Sequence, residues 1–465
     1  MQTVRDILTD LWVQARGQPA AIDAVQLTGS EPTLPSSFRV GAAAQAAIAA
    51  TGLAAAQIWQ MRSGEVQTMA VDMLHAAIEC RSERYLRVDD KPPPPAWDAI
   101  AGVYRTSDGC FVRLHTNFPH HRDNVCHVLN CKPERDAVQA ALMQWKGEMF
   151  ETAAYAGGAV VSLMRSREAW LKHPQAKALA ALPVITIERI GEAAPRSWPI
   201  GERPLSGLRV LDLSRVIAGP VAGRALAAHG ADVMLVTGPK LPSIPWLVID
   251  TGRGKLSCSL DLKSEDGRTA LRKLMSEADI VVQGYRPQAL AALGFSPRAA
   301  ALLSPGIVYV SLSAYGHVGP WAERRGFDSL VQTSTGFNHA EAEAAGIDGP
   351  KELPMQILDH VTGYLMAFGA MMARARQARE GGSWHVQVSL AQTGHWLWNL
   401  GRLAKGLGAP DIKPEAVTPF LEESQSGFGR LNAVRHSALL SRTPAFWSRP
   451  AVPLGHDSPE WPQRG

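Results

Sequence analysis

From Gly207 onward the sequence alternates between buried-strand patterns and helix patterns. Its continuous apolar runs are LRVLDL, ADVMLV, ADIVVQGY and GIVYVSLSAYG, and helical stretches lie between them. Apolar runs of this kind are typical of parallel strands that are covered on both faces. The pattern predicts an α/β fold with a Rossmann-like open parallel sheet and helices on both faces. A ligand is then expected at the carboxyl ends of the strands.

A proline-rich join, APRSWPIGERPLSG, precedes this region and is the clearest domain boundary in the chain. It predicts one section over residues 1–200 and another over residues 205–465. The first section contains Ala-rich helical stretches. It also contains a hairpin pattern, VYRTSDGCFVRLHTN, with Ser107, Asp108 and Gly109 at the turn. These patterns predict a smaller α+β domain.

Composition excludes several classes of protein. The chain has 465 residues and a formal net charge of +4, which is too even a balance for a nucleic-acid-binding surface. No apolar run reaches the ~18 residues of a membrane span. Five cysteines in so long a chain do not indicate a disulfide framework. The charged N-terminus predicts an amphipathic helix rather than a signal peptide. We therefore expect a cytoplasmic protein without a nucleic-acid or membrane partner.

One stretch of the sequence is echoed later in the chain. Residues Arg62 to Ala76 resemble Arg379 to Gln392, and aligning Gly64 with Gly381 sets an offset of 317 residues. Both stretches follow one helical pattern and lead into another. The echo predicts that the chain contains one structural unit twice, at least in part. A chance similarity between two helix-rich regions is the alternative.

Two features raise the question of a ligand, and each has an alternative explanation. Asp359 lies at the start of an otherwise apolar helix, where it is either a first-turn acid favoured by the helix dipole or a buried nucleophile. Arg253 and Lys255 lie in a glycine-bearing loop, which suits either a phosphorylated ligand or solvent. No G-x-G-x-x-G follows the first strand, which disfavours a nicotinamide enzyme.

A group of histidines and cysteines invites comparison with a zinc site. Its members lie within a short span, at His115, His120, His121, Cys126 and Cys131. Their spacing fits no standard zinc pattern and lacks a paired C-x-x-C. The sequence therefore predicts no metal site here.

Six motifs in order resemble the family III coenzyme A transferases. They are GLRVLDLSRVIAGPVAGRALAAHGADV, GRGKLSCSLDLK, ADIVVQGYRPQALAALGF, GIVYVSLSAYGHVGPWAERRGFDSLVQTSTG, the helix that begins near Asp359, and VQVSLAQ. The resemblance runs from about Pro204 to Leu400. The N-terminal section, from about Phe38, is similar to the second half of the same family and to its small domain. The chain thus resembles a partial copy followed by a copy that carries the nucleophile.

The resemblance implies an acyl-CoA:carboxylate CoA-transferase with no permanently bound cofactor. In the family, an aspartate attacks the acyl-CoA thioester to give a mixed anhydride and then an enzyme-bound CoA thioester, which an acceptor acid resolves. Asp359 matches that nucleophile, whereas the first copy has Ala42 at the echo offset. Only the second copy is therefore expected to be catalytic.

The resemblance also implies which residues contact CoA. Arg286 is included because it compensates for positive charge lost at neighbouring positions of the family's pattern. The matching positions are Ile217, Ala218, Arg253, Lys255, Tyr285, Arg286, Arg325, Gly326, Phe327 and Asp328.

Two further functions and two assemblies are left open by the sequence. An acyl-CoA isomerase or racemase is one alternative, but the racemases have a histidine where Phe327 stands, and racemisation needs a base. A non-catalytic CoA-binding protein is the other. The resemblance predicts a homodimer, in which the connectors at Ala194 to Pro204 and after Leu400 would interlock the two chains. Docking of the first copy on the second within one chain is the alternative.

Overall fold

The computed structural model describes residues 1–463. The N-terminal section consists of short helices and strands. In chain order these are α1 Val4–Gln14, β1 Val25–Thr28, α2 Val40–Ser63, β2 Met69–Asp72, α3 Met73–Glu79, α4 Ser82–Tyr85, β3 Arg87–Val88, β4 Gly102–Arg105, β5 Phe111–Leu114, α5 Pro119–Leu129, α6 Arg135–Leu142, α7 Gly147–Ala156, β6 Val161–Leu163, α8 Arg167–Lys172, α9 Pro174–Leu179 and β7 Thr186–Gly191.

Strands and helices alternate in the section that follows, and the tail ends in short strands. The elements are β8 Arg209–Leu213, α10 Ala218–Ala228, β9 Asp232–Thr237, α11 Pro245–Gly252, β10 Lys255–Ser259, α12 Glu265–Ser276, β11 Ile280–Gln283, α13 Pro287–Ala291, α14 Pro297–Leu303, β12 Val308–Ser313, α15 Asp328–Ser334, α16 Phe337–Ala345, α17 Ile357–Glu380, β13 Ser383–Ser389, α18 Leu390–Asn399, α19 Pro414–Val417, β14 Leu421–Ser426, β15 Gly429–Val434 and β16 Ala438–Leu440.

The largest sheet has seven strands in the order β10-β9-β8-β11-β12-β13-β7. The first six are parallel to one another, and β7 joins the edge antiparallel to β13. The predicted open parallel sheet is therefore confirmed, with one antiparallel edge strand added. Alternate residues of the strands enter two separate cores: Val210 and Val282 lie with α10 and α17, whereas Leu211 and Val281 lie with α12 and α14. Helices thus cover both faces, which explains why the strands read as continuous apolar runs.

A smaller antiparallel sheet, β4-β5-β6, has a core of its own together with α5, α6 and α7. Its first two strands form the predicted hairpin. The turn ends at Gly109, whose φ of +77° is a conformation that glycine adopts without strain. We call this unit, residues 100–163, the small domain.

The sequence echo corresponds to two matching helices. α2 and α17 each contain 24 residues, start 317 residues apart, and end at Gly64 and Gly381, the glycines that the echo aligned. Their N-cap residues, Arg39 and Gln356, have nearly the same backbone angles, φ −82° and ψ 58° against φ −79° and ψ 59°. Each helix leads into a strand, and the next helix is capped by a side chain, that of Asp72 or Ser389. α2 and α17 pack directly against each other.

The two sections of the chain exchange strands. β2 and β13 occupy equivalent places after the matching helices, and each has a parallel neighbour, β1 or β12. The antiparallel neighbour of β13 is β7, which comes from the N-terminal section, whereas that of β2 is β16, which comes from the C-terminal tail. The proline-rich join therefore divides the chain in sequence, but the two sections are interlocked in space.

One helix, α2, is long and apolar enough to cross a membrane. In this structure 94% of its most apolar window is buried inside the protein. Its apolarity is thus accounted for by its position between α17 and the surrounding core.

Candidate active site

A cavity of about 360 Å³ lies at the carboxyl ends of β8, β11 and β12. The residues that follow each of these strands line it, which is the position predicted for a ligand site. Its wall comprises Phe118, His120, His121, Arg215, Val216, Ile217, Ala218, Leu241, Gly284, Tyr285, Arg286, Ala289, Leu312, Ser313, Ala314, Ala322, Arg324, Arg325, Gly326, Phe327, Asp359 and Leu390.

The connection from β8 to α10 brings backbone into the cavity. Val216 has a φ of +72°, a conformation that is strained for a β-branched residue and that recurs at functional sites. Ile217 and Ala218 then begin α10. A Cβ atom on Gly363 of α17 would lie 2.5 Å from the carbonyl oxygen of Ala218, so this glycine permits the close approach of the two helices. The approach places the start of α10 beside the start of α17.

Asp359 lies in the first turn of α17 and lines the cavity, although its residue is only 8% exposed. Its backbone N–H donates to Oδ2 of Asp328 at 2.9 Å. Next to it, His360 Nε2 contacts Glu83 Oε2 of the N-terminal section at 3.0 Å. The first turn of α17, which carries the predicted nucleophile, is thus held by groups from both halves of the chain.

The pKa of Asp359 is raised well above its usual value. Burial is the main cause, and the nearby carboxylates of Asp328 and Glu83 add to it. Burial also raises the pKa of Asp328, to about 6. A carboxylate that has lost its water and is held beside other acids is a stronger nucleophile than a solvated one. The environment of Asp359 is therefore suited to attack on an acyl carbon.

These shifts predict that activity depends on pH. A carboxylate that acts as a nucleophile must be ionised, so kcat/KM of a reaction that starts on Asp359 is expected to fall as the pH drops through its raised pKa. Asp328→Asn removes a like charge while its amide oxygen still accepts from the Asp359 N–H. We expect the acid limb of the kcat/KM profile to shift to lower pH in this variant. An Asp348→Asn control, which changes an exposed acid, should keep the wild-type profile, and an unmoved limb in Asp328→Asn would contradict the coupling.

Positive charge faces the cavity from four arginines. Arg324 is paired with Glu151 at 3.1 Å. Arg215 donates to the backbone carbonyl of Pro242 and lies over the ring of Phe118. Arg286 and Arg325 have no carboxylate partner within residues 1–463. Three guanidinium groups are therefore available to an anionic ligand such as a phosphate.

The structure gathers most of the predicted contact residues at this cavity. Ile217, Ala218, Tyr285, Arg286, Arg325, Gly326 and Phe327 line it together with Asp359. Asp328 lies behind the wall, is fully buried, and contacts the backbone of Asp359. Its place in the structure is that of a positioning residue.

Arg253 and Lys255 lie elsewhere, and contrary to the prediction neither is exposed to a ligand in the cavity. Both lie outside the cavity wall and are at least 97% buried. Arg253 pairs with Asp250 at 3.0 Å and lies over the ring of Trp447. Lys255 pairs with Asp212 at 2.7 Å and donates to the carbonyl oxygen of Pro220. Their charges are used inside the protein because each faces a buried carboxylate, which the sequence does not reveal.

Sequence reasoning missed the contribution of the small domain. Phe118, His120 and His121 line the cavity, and the segment HTNFPHHR that contains them was considered only as a possible metal site. Across residues 1–463, no group of three or more His, Cys, Asp or Glu side chains is placed to hold a metal ion. The five cysteines are all free.

Comparison with known proteins concerns the part of the chain that contains the parallel sheet. Residues 205–415, which contain the parallel sheet and Asp359, match the profile of CoA-transferase family III. This part of the chain belongs to that family. The resemblance of the six motifs to this family is thereby confirmed. The partial copy in the N-terminal section stays a prediction.

Several curated relatives are similar to this chain over larger or smaller parts of its length. An acyl-CoA transferase of Gibberella moniliformis is 27% identical over 419 residues, covering 80% of this chain and 73% of the relative. A probable fatty acyl-CoA transferase of Mycobacterium tuberculosis is 30% identical, covering 46% and 59%. A succinate–glutarate CoA-transferase of Agrobacterium fabrum is 31% identical, covering 41% and 52%. The chain thus spans most of the first relative but only a little over half of the other two.

Proposed function

We propose that this chain is an acyl-CoA:carboxylate CoA-transferase that works through covalent intermediates on Asp359. The observation that carries the proposal is the position of Asp359, which is buried at the wall of a cavity with three available arginines. Membership of CoA-transferase family III and the names of the relatives support the same activity.

The proposed reaction conserves the thioester and needs no ATP. A carboxylate oxygen of Asp359 attacks the thioester carbon, the C–S bond breaks, and CoA leaves as the thiolate. The thiolate attacks Cγ in the mixed anhydride and releases the donor acid, which leaves an aspartyl-CoA thioester. An acceptor carboxylate attacks that thioester at Cγ to form a second anhydride and releases the thiolate again. The thiolate then attacks the acceptor's acyl carbon and regenerates Asp359.

Each group at the site has a part in this scheme. Arg215, Arg286 and Arg325 bind the anionic groups of CoA or of the acid. Burial of Asp359 limits the access of water, which would otherwise hydrolyse the anhydride and the thioester. The Asp328 carboxylate accepts from the N–H of Asp359 and fixes the start of α17. Positioning of the reactants in the cavity lowers the entropic cost of each step.

Mass spectrometry after mixing the protein with a panel of acyl-CoAs tests the proposal. An adduct on Asp359 with the mass of CoA less one water, as an aspartyl-CoA thioester requires, is the expected result and is located by peptide sequencing. An acyl-CoA isomerase would instead exchange the hydrogen next to the carbonyl with solvent deuterium and leave Asp359 unmodified. A non-catalytic CoA-binding protein would bind without either change.

We further infer that one chain is a self-contained unit. The sequence predicted a homodimer and left open a docking of the first copy on the second. The packing of α2 on α17 and the exchange of β7 and β16 support the second possibility. Ala42, at the position that matches Asp359, is consistent with a first copy kept as a structural partner.

Light scattering at micromolar concentration checks this assembly. We expect a mass near the 50.1 kDa of one chain, because the pseudo-symmetric neighbour of α17 is already supplied within it. Twice that mass would instead support the homodimer. Activity that is proportional to protein concentration on dilution is the expected companion result, since a site built across two chains would lose activity as the chains dissociate.

A further inference from the structure

One wall of the cavity comes from the small domain and carries two histidines. The segment that connects β5 to α5 ends at Phe118, and α5 begins with Pro119. Phe118, His120 and His121 all line the cavity that contains Asp359. The mechanism proposed above assigns no part to any of these three side chains.

This wall is fixed close to the nucleophile by aromatic contacts. The ring of His115, on the same segment, lies parallel to the ring of Phe327, with centroids 3.7 Å apart and planes 4° apart. The His121 ring meets the edge of Phe327, with centroids 5.9 Å apart. The residue after Phe327 is Asp328, which accepts from the N–H of Asp359. Two contacts therefore connect the histidine wall to the reacting carboxylate.

The side chain of His121 is polar and buried, and it contacts other rings but no hydrogen-bonding group of the described chain. Its residue is 4% exposed, and its ring makes no hydrogen bond within residues 1–463. Burial and the neighbouring His120 and His115 lower the pKa of His121 to about 3, so the ring is neutral at physiological pH. A neutral imidazole has one donor and one acceptor nitrogen. Leaving such a group unpaired is costly, so a ligand that pairs with it gains affinity.

The charge around His121 indicates what kind of ligand pairs with it. Arg215 and Arg325 both lie close enough to lower the pKa of His121, and both line the same cavity. Neither has a carboxylate partner in the described chain. Asp359 is the one acid among the described residues of the wall. The surroundings of His121 therefore favour an oxygen ligand, and a negatively charged oxygen above a neutral one.

We propose that His121 selects acids whose carbon chain bears a second oxygen function, with a carboxylate preferred to a hydroxyl and a hydroxyl preferred to hydrogen. This inference rests on the proposed transferase function and names its substrate class. An alkyl chain in the cavity would leave the imidazole unpaired and would remove the two arginines from water without compensation. An oxygen function hydrogen-bonds to His121 and is attracted by Arg215 and Arg325.

The strength of selection follows from the cost of the unpaired group. A site that hydrogen-bonds to a polar substituent rejects the analogue without it by roughly 10⁴-fold in the best cases, whereas an apolar pocket separates such a pair by roughly 10²-fold at most. We expect a preference of roughly a hundredfold or more in kcat/KM for the oxygen-bearing acid.

A matched set of four-carbon substrates tests the inference: succinyl-CoA, 3-hydroxybutyryl-CoA and butyryl-CoA. Each is mixed with its own acid labelled with ¹³C, and the exchange of label into the thioester is measured. Because donor and acceptor are then the same acid, no second specificity enters the measurement. The wild-type chain is expected to exchange succinate fastest and butyrate slowest.

Three variants separate recognition from general damage. His121→Leu removes both nitrogens and is expected to reduce the preference to within about tenfold, mainly by slowing the oxygen-bearing acids. His121→Asn keeps hydrogen-bonding groups and should restore part of the preference. His127→Leu, at an exposed position of the same helix, should leave all three rates unchanged. Circular dichroism and thermal melting verify that each variant is folded.

The outcomes for the two proposals are distinguishable. Equal exchange of the three acids, or a preference that survives in His121→Leu, overturns the role of His121 while an adduct on Asp359 still supports the transferase. Absence of both exchange and adduct with every acyl-CoA overturns the transferase proposal and this inference with it.

Discussion

Asp359→Asn is expected to abolish CoA transfer while the chain stays folded and binds CoA. The amide has nearly the volume of the carboxylate but cannot form the anhydride, so we expect a loss of on the order of 10⁴-fold or more in kcat. CoA affinity should change little because Arg215, Arg286 and Arg325 are untouched. Transfer assays, together with calorimetric titration of CoA, measure the two effects separately.

The stability of this variant provides a second test. The pKa of Asp359 is higher in the folded than in the unfolded chain, so its contribution to stability is present at low pH and is lost as the pH rises through the folded pKa. Asp359→Asn removes this loss, and its melting temperature at neutral pH should equal or exceed that of the wild type. Such an exchange of stability for activity is typical of catalytic groups.

Two controls make the result interpretable. Asp359→Ala excludes activity that arises from slow deamidation of the asparagine, and Ala42 at the matching position of α2 indicates that alanine suits this helix. Asp348→Asn makes the same chemical change at an exposed acid and should keep full activity. Substantial transfer by Asp359→Ala would contradict the covalent mechanism.

Much of the fold was predictable because its signals are local. Four of the six parallel strands, β8, β9, β11 and β12, are short apolar runs, and the matching helices α2 and α17 end at Gly64 and Gly381, the two glycines that the echo aligned. β7 and β16 were not predicted to pair across the two sections. Their partners lie far away in sequence, and β7 itself, Thr186–Gly191, is only partly buried, so neither its pattern nor its neighbours reveal the exchange.

The site was predictable where its residues follow strand ends. Ile217, Ala218 and Tyr285 come within a few residues of β8 or β11, so the topology of a parallel sheet alone brings them to one edge. Asp359 was identified by the resemblance. His121 was not, because the small domain reaches the cavity through tertiary packing that no local pattern encodes. The one feature of the sequence that could have indicated His121 is the histidine-rich segment HTNFPHHR. Since its spacing fits no metal site, another role for these histidines remained to be found.

Arg253 and Lys255 were predicted to bind a phosphorylated ligand from the local sequence alone, and the structure places them in the interior instead. A cation in a glycine-bearing loop looks solvent-exposed when its partner is unknown. Asp250 lies only three residues before Arg253, but the sequence does not show that the two form a buried pair. α11 places Asp250 in the interior, where its Oδ2 lies 2.7 Å from Nη1 of Arg224. Asp212 belongs to β8, which is separated from β10 by β9 in the sheet, and the long side chain of Lys255 still reaches it. The acids, rather than a ligand, determine where these cations lie.

Lys255→Met is accordingly expected to destabilise the chain rather than to weaken CoA binding. Asp212 is fully buried, and loss of Lys255 would leave its carboxylate with the hydroxyl of Ser214 but without a cation. Breaking a buried ion pair in this way costs about 3–5 kcal/mol in the free energy of unfolding. Gly223 packs so closely that a Cβ atom there would lie 2.4 Å from Asp212 Oδ2, which leaves little room for a compensating water.

Chemical denaturation of matched variants decides between the two roles of Lys255. Lys263→Met, at an exposed lysine nearby, should change stability by less than about 0.5 kcal/mol. The double variant Asp212→Leu with Lys255→Met should recover much of the loss, because removing both charges also removes the buried carboxylate without a partner. CoA affinity of the folded fraction should match the wild type in every case, since the Lys255 ammonium is enclosed by Asp212 and Pro220. If Lys255→Met weakens CoA binding without changing stability, the structural role is contradicted and Lys255 contacts CoA.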